Sequence, residues 1–449
     1  MKFLSPDPDK AYISNMLWLP KRHLRVPSVK GALEFHTMGQ EQEFVQMWEE
    51  QEHHLLVPRE FLNPANYDQW PFEFVDVRPS SFQHIDIRTR IKPRTPSQRE
   101  AMYSMLRSGG GILNLGCGHG KTVVALWLIA KLKVPALIVV NNTSLVTQWR
   151  ERIEEHLQYE GGVGQVQGDL FDWRHPITIG MIHTLAFHAD TWPANFRRNW
   201  GITIYDEIHH LAAPLFSRTA PLFYGIRHGL TATPFREDGR ESVYEFHIGR
   251  VYYSDLTQDL TPRVYFIRTD TELDLNDQKT REEVYDKTGE IHLGKLRIHL
   301  GKDEARNDFI QEHIEEMLLH GRKILALTHS VDQLARLQLR FPDSAVIYGN
   351  VSQEIRGQLL SEHQLTFATS QLAYEGLDEP SLDTLVLLTP FGARNWVQQA
   401  IGRIQRAFTG KRNPLVVIFE DHHISKCLKV CRKAKASLRK LGLDYQLAR

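Results

Sequence analysis

Ten residues, LNLGCGHGKT at positions 113–122, combine glycine, lysine and threonine in the order used to bind phosphate. Glycines let backbone N–H groups face an anion, and a helix N-terminus adds a favourable dipole. The strict pattern G-x-x-x-x-G-K-[ST] has glycine where this chain has Leu115. The residues that contact phosphate and Mg²⁺ in such loops are nevertheless present: Gly118, Gly120, Lys121 and Thr122. We predict a phosphate loop, and the alternative is a glycine-rich turn with an exposed lysine.

A second candidate group is ITIYDEIHH, in which an apolar stretch delivers Asp206 and Glu207 to the end of a predicted strand. Parallel α/β sheets bind their ligands at that end of their strands. Two adjacent carboxylates there can have different catalytic roles, because one can hold Mg²⁺ while the other orients and deprotonates water. We therefore predict Asp206 as a metal ligand and Glu207 as the general base. A solvated acidic turn is the alternative.

A third group is VQQAIGRIQRAFTGK, which reads as a helix carrying Gln399, Arg403 and Arg406. Residues three or four apart share a helix face. Fixed guanidinium groups suit a γ-phosphate whose charge redistributes in the transition state. The alternative is a pair of solvent-exposed arginines.

The elements that must position these residues alternate along the chain. Apolar runs such as GILNL, ALIVV and ITIYD predict buried strands, and TVVALWLIAKL predicts a helix between two of them. The alternation pauses between about residues 241 and 303 and then resumes with KILALTH, LTFATS and LVVIFED. Buried strands alternating with helices predict parallel sheets covered on both faces.

Composition limits the class of protein. The length of 449 residues predicts two to four domains. No apolar run approaches the roughly 20 residues that span a bilayer, and MKFLSPDPDK has no secretory apolar region, so we expect neither membrane insertion nor export. Three cysteines make no disulfide framework and favour the cytoplasm. The formal net charge of zero means that nucleic-acid binding would need a local basic surface.

Taken together, LGCGHGKT, DEIH, GLTATP and QAIGRIQR resemble motifs I, II, III and VI of superfamily 2 helicases and translocases, in order and spacing. The resemblance covers residues 91–425 and implies two tandem RecA-like α/β domains that bind ATP and Mg²⁺ between them. It also implies that RTPSQ recognises adenine, that ATSQLAYEGLD is motif V, and that NNTSLVTQW, IHTL and LTHS are further motifs near nucleic acid.

Residue roles follow from that resemblance. The residues it places at the nucleotide, beyond those given above, are Arg94, Gln98, His119, Gly376 and Asp378. Those it places near nucleic acid are Thr184, Arg236, Ser330, Thr369 and Ser370. Those it assigns to coupling hydrolysis to movement are His209, Thr231 and Thr233.

Within the superfamily, the chain is most similar to the XPB/Rad25 group and to phage UvsW-type branch-migration helicases. GLTATPFRED resembles the RED element of XPB-like proteins, and the DEIH form of motif II agrees with it. We expect an accessory, possible DNA-recognition domain at 1–90, RecA-like domains at 91–255 and 304–425, a connection with a thumb-like insertion at 256–303, and a basic C-terminal helix at 426–449.

The resulting hypothesis is an ATP-dependent DNA helicase or translocase that remodels branched or duplex DNA in repair, recombination or replication. An RNA helicase and a duplex translocase that separates no strands are alternatives, and a catalytically silent nucleic-acid-binding scaffold is an alternative of another class. The lysines and arginines of the last helix either contact DNA phosphates or form a solvated face. The spacing of His423, Cys427 and Cys431 fits a zinc site poorly.

Overall fold

The structure is a computed structural model that describes residues 6–36, 44–116, 118–232, 239–257, 260–349, 351–370, 379–391, 400–406 and 408–448. Its contacts divide the chain into two compact units, residues 1–256 and 257–449. Each unit is a layered α/β structure, and the predicted α/β class with two RecA-like parallel-sheet domains is confirmed.

Eight strands among the described residues of the first unit form one sheet, in the order β13-β12-β14-β10-β15-β16-β9-β17. All neighbours are parallel except β13, which runs antiparallel to β12 at one edge. The strands of this unit are β1 (Ala11–Ile13), β2 (Leu17–Pro20), β3 (Glu34–His36), β4 (Phe44–Gln46), β5 (Glu49–Glu50), β6 (His54–Val57), β7 (Phe74–Asp76), β8 (Arg88–Thr89), β9 (Gly111–Leu115), β10 (Ala136–Val140), β11 (Leu157–Gln158), β12 (Val163–Gln167), β13 (Leu170–Asp172), β14 (Ile177–Met181), β15 (Ile202–Tyr205), β16 (Ile226–Thr231) and β17 (Val251–Asp255).

Helices cover both faces of this sheet because its central strands are apolar at successive positions. The helices are α1 (Val26–Ala32), α2 (Pro96–Ser108), α3 (Lys121–Leu132), α4 (Thr143–His156), α5 (Ile182–Phe187), α6 (Ala194–Asn199), α7 (Pro214–Ser217) and α8 (Glu241–Ile248). Helices α2, α3 and α4 share a core with one face, which includes Leu113 and Ile138. Helices α5 and α8 pack against the other face, which includes Ile112 and Leu137. A strand buried on both faces reads as a continuous apolar run, as the sequence predicted.

The N-terminal residues add a five-stranded sheet, in the order β5-β6-β2-β1-β7, that shares the core of the second face. Buried polar contacts fix it there. The fully buried Arg227 donates to the carbonyl of Asn15, and Arg59 donates to the carbonyls of Tyr224 and Gly225 at 2.9 Å. The N-terminal sheet is therefore part of the compact first unit.

Seven strands among the described residues of the second unit form an all-parallel sheet, in the order β20-β21-β19-β22-β23-β18-β24. The strands are β18 (Arg263–Thr269), β19 (Ile324–Thr328), β20 (Ala345–Ile347), β21 (Leu365–Thr369), β22 (Thr384–Leu387), β23 (Leu415–Asp421) and β24 (Tyr445–Ala448). The helices are α9 (Gln278–Val284), α10 (Leu293–Lys302), α11 (Glu304–Leu319), α12 (Val331–Arg340), α13 (Gln353–Glu362) and α14 (Ser425–Lys440), and residues 400–404 are also helical.

Two stretches differ from the sequence prediction. The pause at 241–303 contains α8, β17, β18, α9 and α10, so the alternation of elements continues through it. The C-terminal helix does not extend to residue 449, because Gly442 has a positive φ of 70° beyond the end of α14 and the chain then forms β24. Among the described residues, no helix has both the length and the apolar composition needed to cross a membrane.

Candidate active site

Four adjacent strands of the first unit, β10, β15, β16 and β9, end at the same edge of the sheet. Because they are parallel, the segments that follow them lie side by side. These segments begin with Asn141, Asp206, Ala232 and Gly116, respectively. The sheet thus brings together three of the predicted motif sequences, DEIH, GLTATP and LGCGHGKT, with the NNTSLVTQW segment.

The loop between β9 and α3 has the backbone of an anion site. Gly118 and Gly120 have φ angles of 84° and 77°, in the left-handed region that favours glycine. Gly120 is the N-cap of the twelve-residue helix α3, so Lys121 and Thr122 occupy its first turn. The ammonium of Lys121 donates to the carbonyl of Leu115 at 3.2 Å, which holds it beside the loop. Backbone amide groups, the helix dipole and a lysine fit a nucleotide phosphate.

The predicted adenine-recognition segment contacts this loop directly. The Gln98 amide accepts from the backbone N–H of Arg94 at 2.7 Å and donates to the carbonyl of His119 at 3.5 Å. A Cβ at Gly120 would lie 2.5 Å from Gln98 Nε2, so a larger residue there would displace the end of the Gln98 side chain. Adenine contacts by Gln98 and Arg94 and a nucleotide contact by His119 remain predictions.

Asp206 and Glu207 follow β15 in an unusual local geometry. Glu207 has φ 46° and ψ 58°, a left-handed conformation that is costly for a residue with a side chain. Its Oε2 is buried without a hydrogen bond and lies 3.4 Å from Nδ1 of the buried His209. Strained backbone and a buried carboxylate oxygen together are typical of a functional site.

Both oxygens of the Asp206 carboxylate are held. Oδ2 accepts from the indole Nε1 of Trp149 at 2.8 Å, and Oδ1 accepts from the backbone N–H of Glu207 at 3.0 Å. Burial and the neighbouring charge of Glu207 raise the pKa of Asp206 to about 6, while the Trp149 bond and Lys121 oppose the shift. An anion held near a phosphate loop fits Mg²⁺, which prefers carboxylate and phosphate oxygens.

Replacing Asp206 with asparagine is expected to stabilise the protein at pH 8. The raised pKa means that the folded protein binds more protons than the unfolded chain, so the stabilisation from protonated Asp206 is full below pH 3.8 and lost as the pH rises through about 6. An asparagine side chain carries no charge and avoids that loss, a gain on the order of 2 kcal/mol in the free energy of unfolding. Urea unfolding followed by tryptophan fluorescence measures it, because every tryptophan except Trp396 belongs to the first unit.

The same titration at pH 4 provides the control, since Asp206 is then protonated in the folded wild type and the gain should vanish. Asp169→Asn, at an exposed position of the same unit, should change stability little at either pH. Equal stability of Asp206→Asn and wild type at pH 8 would contradict the assigned environment.

The motif III segment is only partly described. Thr231 is fully buried at the end of β16. Thr233 and Arg236 lie outside the described residues. Coupling by His209, Thr231 and Thr233 therefore remains a prediction.

In the second unit, the structure corrects the helix predicted for Arg403 and Arg406. Arg403 lies in the helical stretch 400–404, whereas Arg406 lies in a bend beyond it. The helix ends there because the carbonyl of Gln405 accepts from the backbone N–H of Leu260 at 3.1 Å and that of Arg406 accepts from the ammonium of Lys411 at 2.9 Å. Gln399, Gly376 and Asp378 lie outside the described residues.

The hydroxyl groups predicted to lie near nucleic acid are largely occupied by the fold. Thr184 is 8% exposed and its Oγ1 accepts from the backbone N–H of Gly168 at 2.9 Å. Ser330 is 1% exposed and caps α12, accepting from the backbone N–H of Gln333. Thr369 is half-buried at the end of β21 and Ser370 is buried. Their contact with nucleic acid remains a prediction.

The structure does not assemble a zinc site from His423, Cys427 and Cys431. Both thiols are fully buried in apolar cores, and burial raises the pKa of Cys431 to about 12. The imidazole of His423 instead lies near Asp270 and His422, in a largely exposed group.

Sequence reasoning missed Trp149 and Asn141 as site residues. Trp149 ends the quoted stretch NNTSLVTQW, but its indole contacts a carboxylate 57 positions along the chain. Asn141 Nδ2 lies 2.8 Å from Nε2 of His210. One signal for Trp149 was available in the sequence, because this tryptophan lies on a helix that directly follows a predicted strand of the site.

Comparison with known proteins gives the family context. Residues 91–236 match the sequence profile of the family described as "Type III restriction enzyme, res subunit". The "DNA 3'-5' helicase XPB" of Kineococcus radiotolerans is 29% identical over 353 residues, which cover 75% of this chain and 61% of that protein. The chain is therefore similar to superfamily 2 DExH helicases, and to the XPB group among them. Similarity to the UvsW type stays a prediction.

Two further comparisons bear on this similarity. "Putative ATP-dependent RNA helicase L396" of Acanthamoeba polyphaga mimivirus is 27% identical over 325 residues, 71% of this chain and 61% of that protein. Among solved structures, "The fragment structure of a putative HsdR subunit of a type I restriction enzyme from Vibrio vulnificus YJ016" has 18% identity and a TM-score of 0.52, covering 78% of this chain and 68% of that one. That likeness supports the fold alone. The chain spans about 61% of the length of the two relatives named here.

Proposed function

We propose that this chain is an ATP-dependent DNA motor that remodels branched or duplex DNA. The observation that carries the proposal is the edge of the first sheet, where the phosphate loop follows β9 and Asp206 and the strained Glu207 follow β15, the two parallel strands that flank β16. Loop amides, a lysine and two neighbouring carboxylates are the groups that phosphoryl transfer to water requires.

The roles of the residues follow from their positions. Bound ATP with Mg²⁺ supplies the γ-phosphate that is transferred to water. The loop amides and Lys121 bind the phosphates, Thr122 and Asp206 hold the metal, and Glu207 orients water and takes its proton. His209 contacts Glu207 and can keep its carboxylate in place. Gln399, Arg403 and Arg406 are assigned to the same nucleotide by resemblance.

The choice of DNA rests on the relatives named for DNA helicase activity and on the residue resemblance. A basic surface to bind phosphates is present on α14, where Lys429, Arg432, Lys433, Arg439 and Lys440 are exposed. Lys435 on the same helix instead pairs with the buried Glu420 and is committed to the fold. The mimivirus relative's name favours RNA as the second candidate substrate.

Steady-state ATP hydrolysis tests the proposal directly. The full chain is assayed without nucleic acid and with single-stranded DNA, duplex DNA, a four-way junction and RNA. We expect the strongest stimulation from the junction and a loss of about 10²-fold or more in Lys121→Ala, because the lysine stabilises developing phosphate charge.

The pattern of stimulation separates the alternatives. Stimulation by RNA above all would identify an RNA helicase, and stimulation by duplex without strand separation would identify a translocase. No turnover with any of them would contradict the motor and leave a binding scaffold. Lys131→Ala, on the same helix as Lys121 but at its other end, is a control that should retain activity.

A further inference from the structure

Helix α4 reaches the nucleotide site through a single side chain. Trp149 is fully buried, yet its indole N–H points at Asp206 Oδ2 and donates to it at 2.8 Å. A hydrogen bond to an ionised carboxylate is stronger than one between neutral groups and also fixes the direction of the oxygens. The other oxygen is held by the next backbone amide, so the carboxylate has little freedom to rotate.

A buried tryptophan in this fold does not need such an acceptor. Trp200 is also fully buried in the first unit, and its indole Nε1 has no hydrogen-bond partner. It packs against Phe196 with ring centroids 5.7 Å apart. Burial alone therefore does not explain why Trp149 is aimed at a carboxylate rather than at apolar neighbours.

Trp149 and the N-terminal half of α4 belong to the segment that resembles motif Ia. Asn142 caps the helix by accepting from the backbone N–H of Leu145 at 2.9 Å, and Asn141 lies beside His210 of the motif II segment. In the first turn, Thr143 Oγ1 accepts from the Gln167 amide at 3.2 Å. The backbone N–H of Gly168, the next residue, donates to Oγ1 of Thr184, which the motif resemblance places near nucleic acid.

We infer that Trp149 is a positioning residue that orients the Asp206 carboxylate for the metal, and that α4 thereby links the predicted nucleic-acid segment to the nucleotide site. The inference rests on the proposed ATPase function. Contacts run without a break from Thr184 through the β12–β13 hairpin and α4 to Asp206, which is the kind of packed network that carries coupling.

The test is Trp149→Phe in the full chain, with Trp200→Phe as the matched control. Trp149→Phe should weaken Mn²⁺ binding in the presence of ADP by about tenfold or more, measured by electron paramagnetic resonance. The Mg²⁺ concentration for half-maximal rate should rise. Stimulation by nucleic acid should fall relative to the basal rate.

Trp200→Phe removes the same volume from a buried site without removing a hydrogen bond, so it should leave Mn²⁺ affinity unchanged. In an Asp206→Asn background, Trp149→Phe should add no further loss of Mn²⁺ affinity. If Trp149→Phe does not fold, Trp149→benzothienylalanine keeps the ring shape and replaces only the N–H by sulfur.

The outcomes separate the inference from the proposed function. Unchanged Mn²⁺ affinity in Trp149→Phe would overturn the positioning role, whatever the effect on stability. A wild-type chain that binds Mn²⁺ with ADP but turns over no ATP would overturn the ATPase proposal, while the Mn²⁺ comparison would still decide the role of Trp149. No Mn²⁺ binding by the wild type would overturn both.

Discussion

Replacing Glu207 with glutamine is expected to lower the rate of ATP hydrolysis by about 10²–10⁴-fold, the range that a general base contributes. Glutamine has the same shape and can occupy the same strained backbone, but it cannot take a proton from water. Nucleotide affinity should stay within about threefold, because binding depends on the phosphate loop and Asp206 rather than on the base.

The measurement pairs single-turnover ATP hydrolysis with equilibrium binding of a fluorescent nucleotide. Glu52→Gln is the control, because Glu52 belongs to the same unit but is exposed between β5 and β6 of the N-terminal sheet. Turnover at the wild-type rate in Glu207→Gln would remove Glu207 from the mechanism. A parallel loss of nucleotide affinity would show that the substitution disturbs the loop rather than the chemistry.

The backbone of Glu207 supports a chemical reason for its identity. A left-handed conformation favours glycine or asparagine, and a glutamate there costs stability on the order of 1 kcal/mol. In addition to that cost, one of the Glu207 side-chain oxygens is buried beside His209 without a hydrogen bond. A strained backbone and a buried oxygen without a hydrogen bond at one residue are expected where the active site, rather than folding stability, requires that residue type.

Local patterns were sufficient to predict the elements that carry the site. The segment GILNL is apolar except for Asn114 and is followed by glycines, and it forms β9 over the predicted residues. The run TVVALWLIAKL lies within α3, and ALIVV forms β10. Such runs are informative because a central strand of a parallel sheet is buried on both faces, which leaves no polar position to confuse the pattern.

Elements whose position depends on distant partners were harder to predict. Strand β18 has polar and apolar residues mixed, and it becomes a strand by pairing with β23 and β24, more than 140 positions away. The N-terminal strands have two to four residues each, too few to show a period. The bond between Trp149 and Asp206 joins two predicted segments, but only folding reveals that the side chains meet.

The ion pair between Arg306 and Asp421 also joins residues that are distant in the sequence. Its loss should cause the largest change in the free energy of unfolding among these predictions. Both side chains are fully buried. Arg306 Nε donates to Asp421 Oδ1 at 2.6 Å, and its Nη2 donates to the carbonyl of Leu388 at 2.7 Å. Thr269 Oγ1 also donates to Asp421, at 2.8 Å. The pair thus ties helix α11 to the ends of three adjacent strands, β22, β23 and β18.

Asp421→Ala is expected to lower the free energy of unfolding by about 3–5 kcal/mol, because it leaves the guanidinium buried without a counter-charge. Urea unfolding followed by far-UV circular dichroism measures the loss. Hydrogen exchange should show it as faster exchange in β18, β22 and β23. The double variant Arg306→Met with Asp421→Leu replaces the pair by apolar groups of similar size and should recover most of the stability. Because breaking a buried pair costs far more than replacing it, a double variant as unstable as Asp421→Ala would show that the loss comes from packing rather than from the unpaired charge.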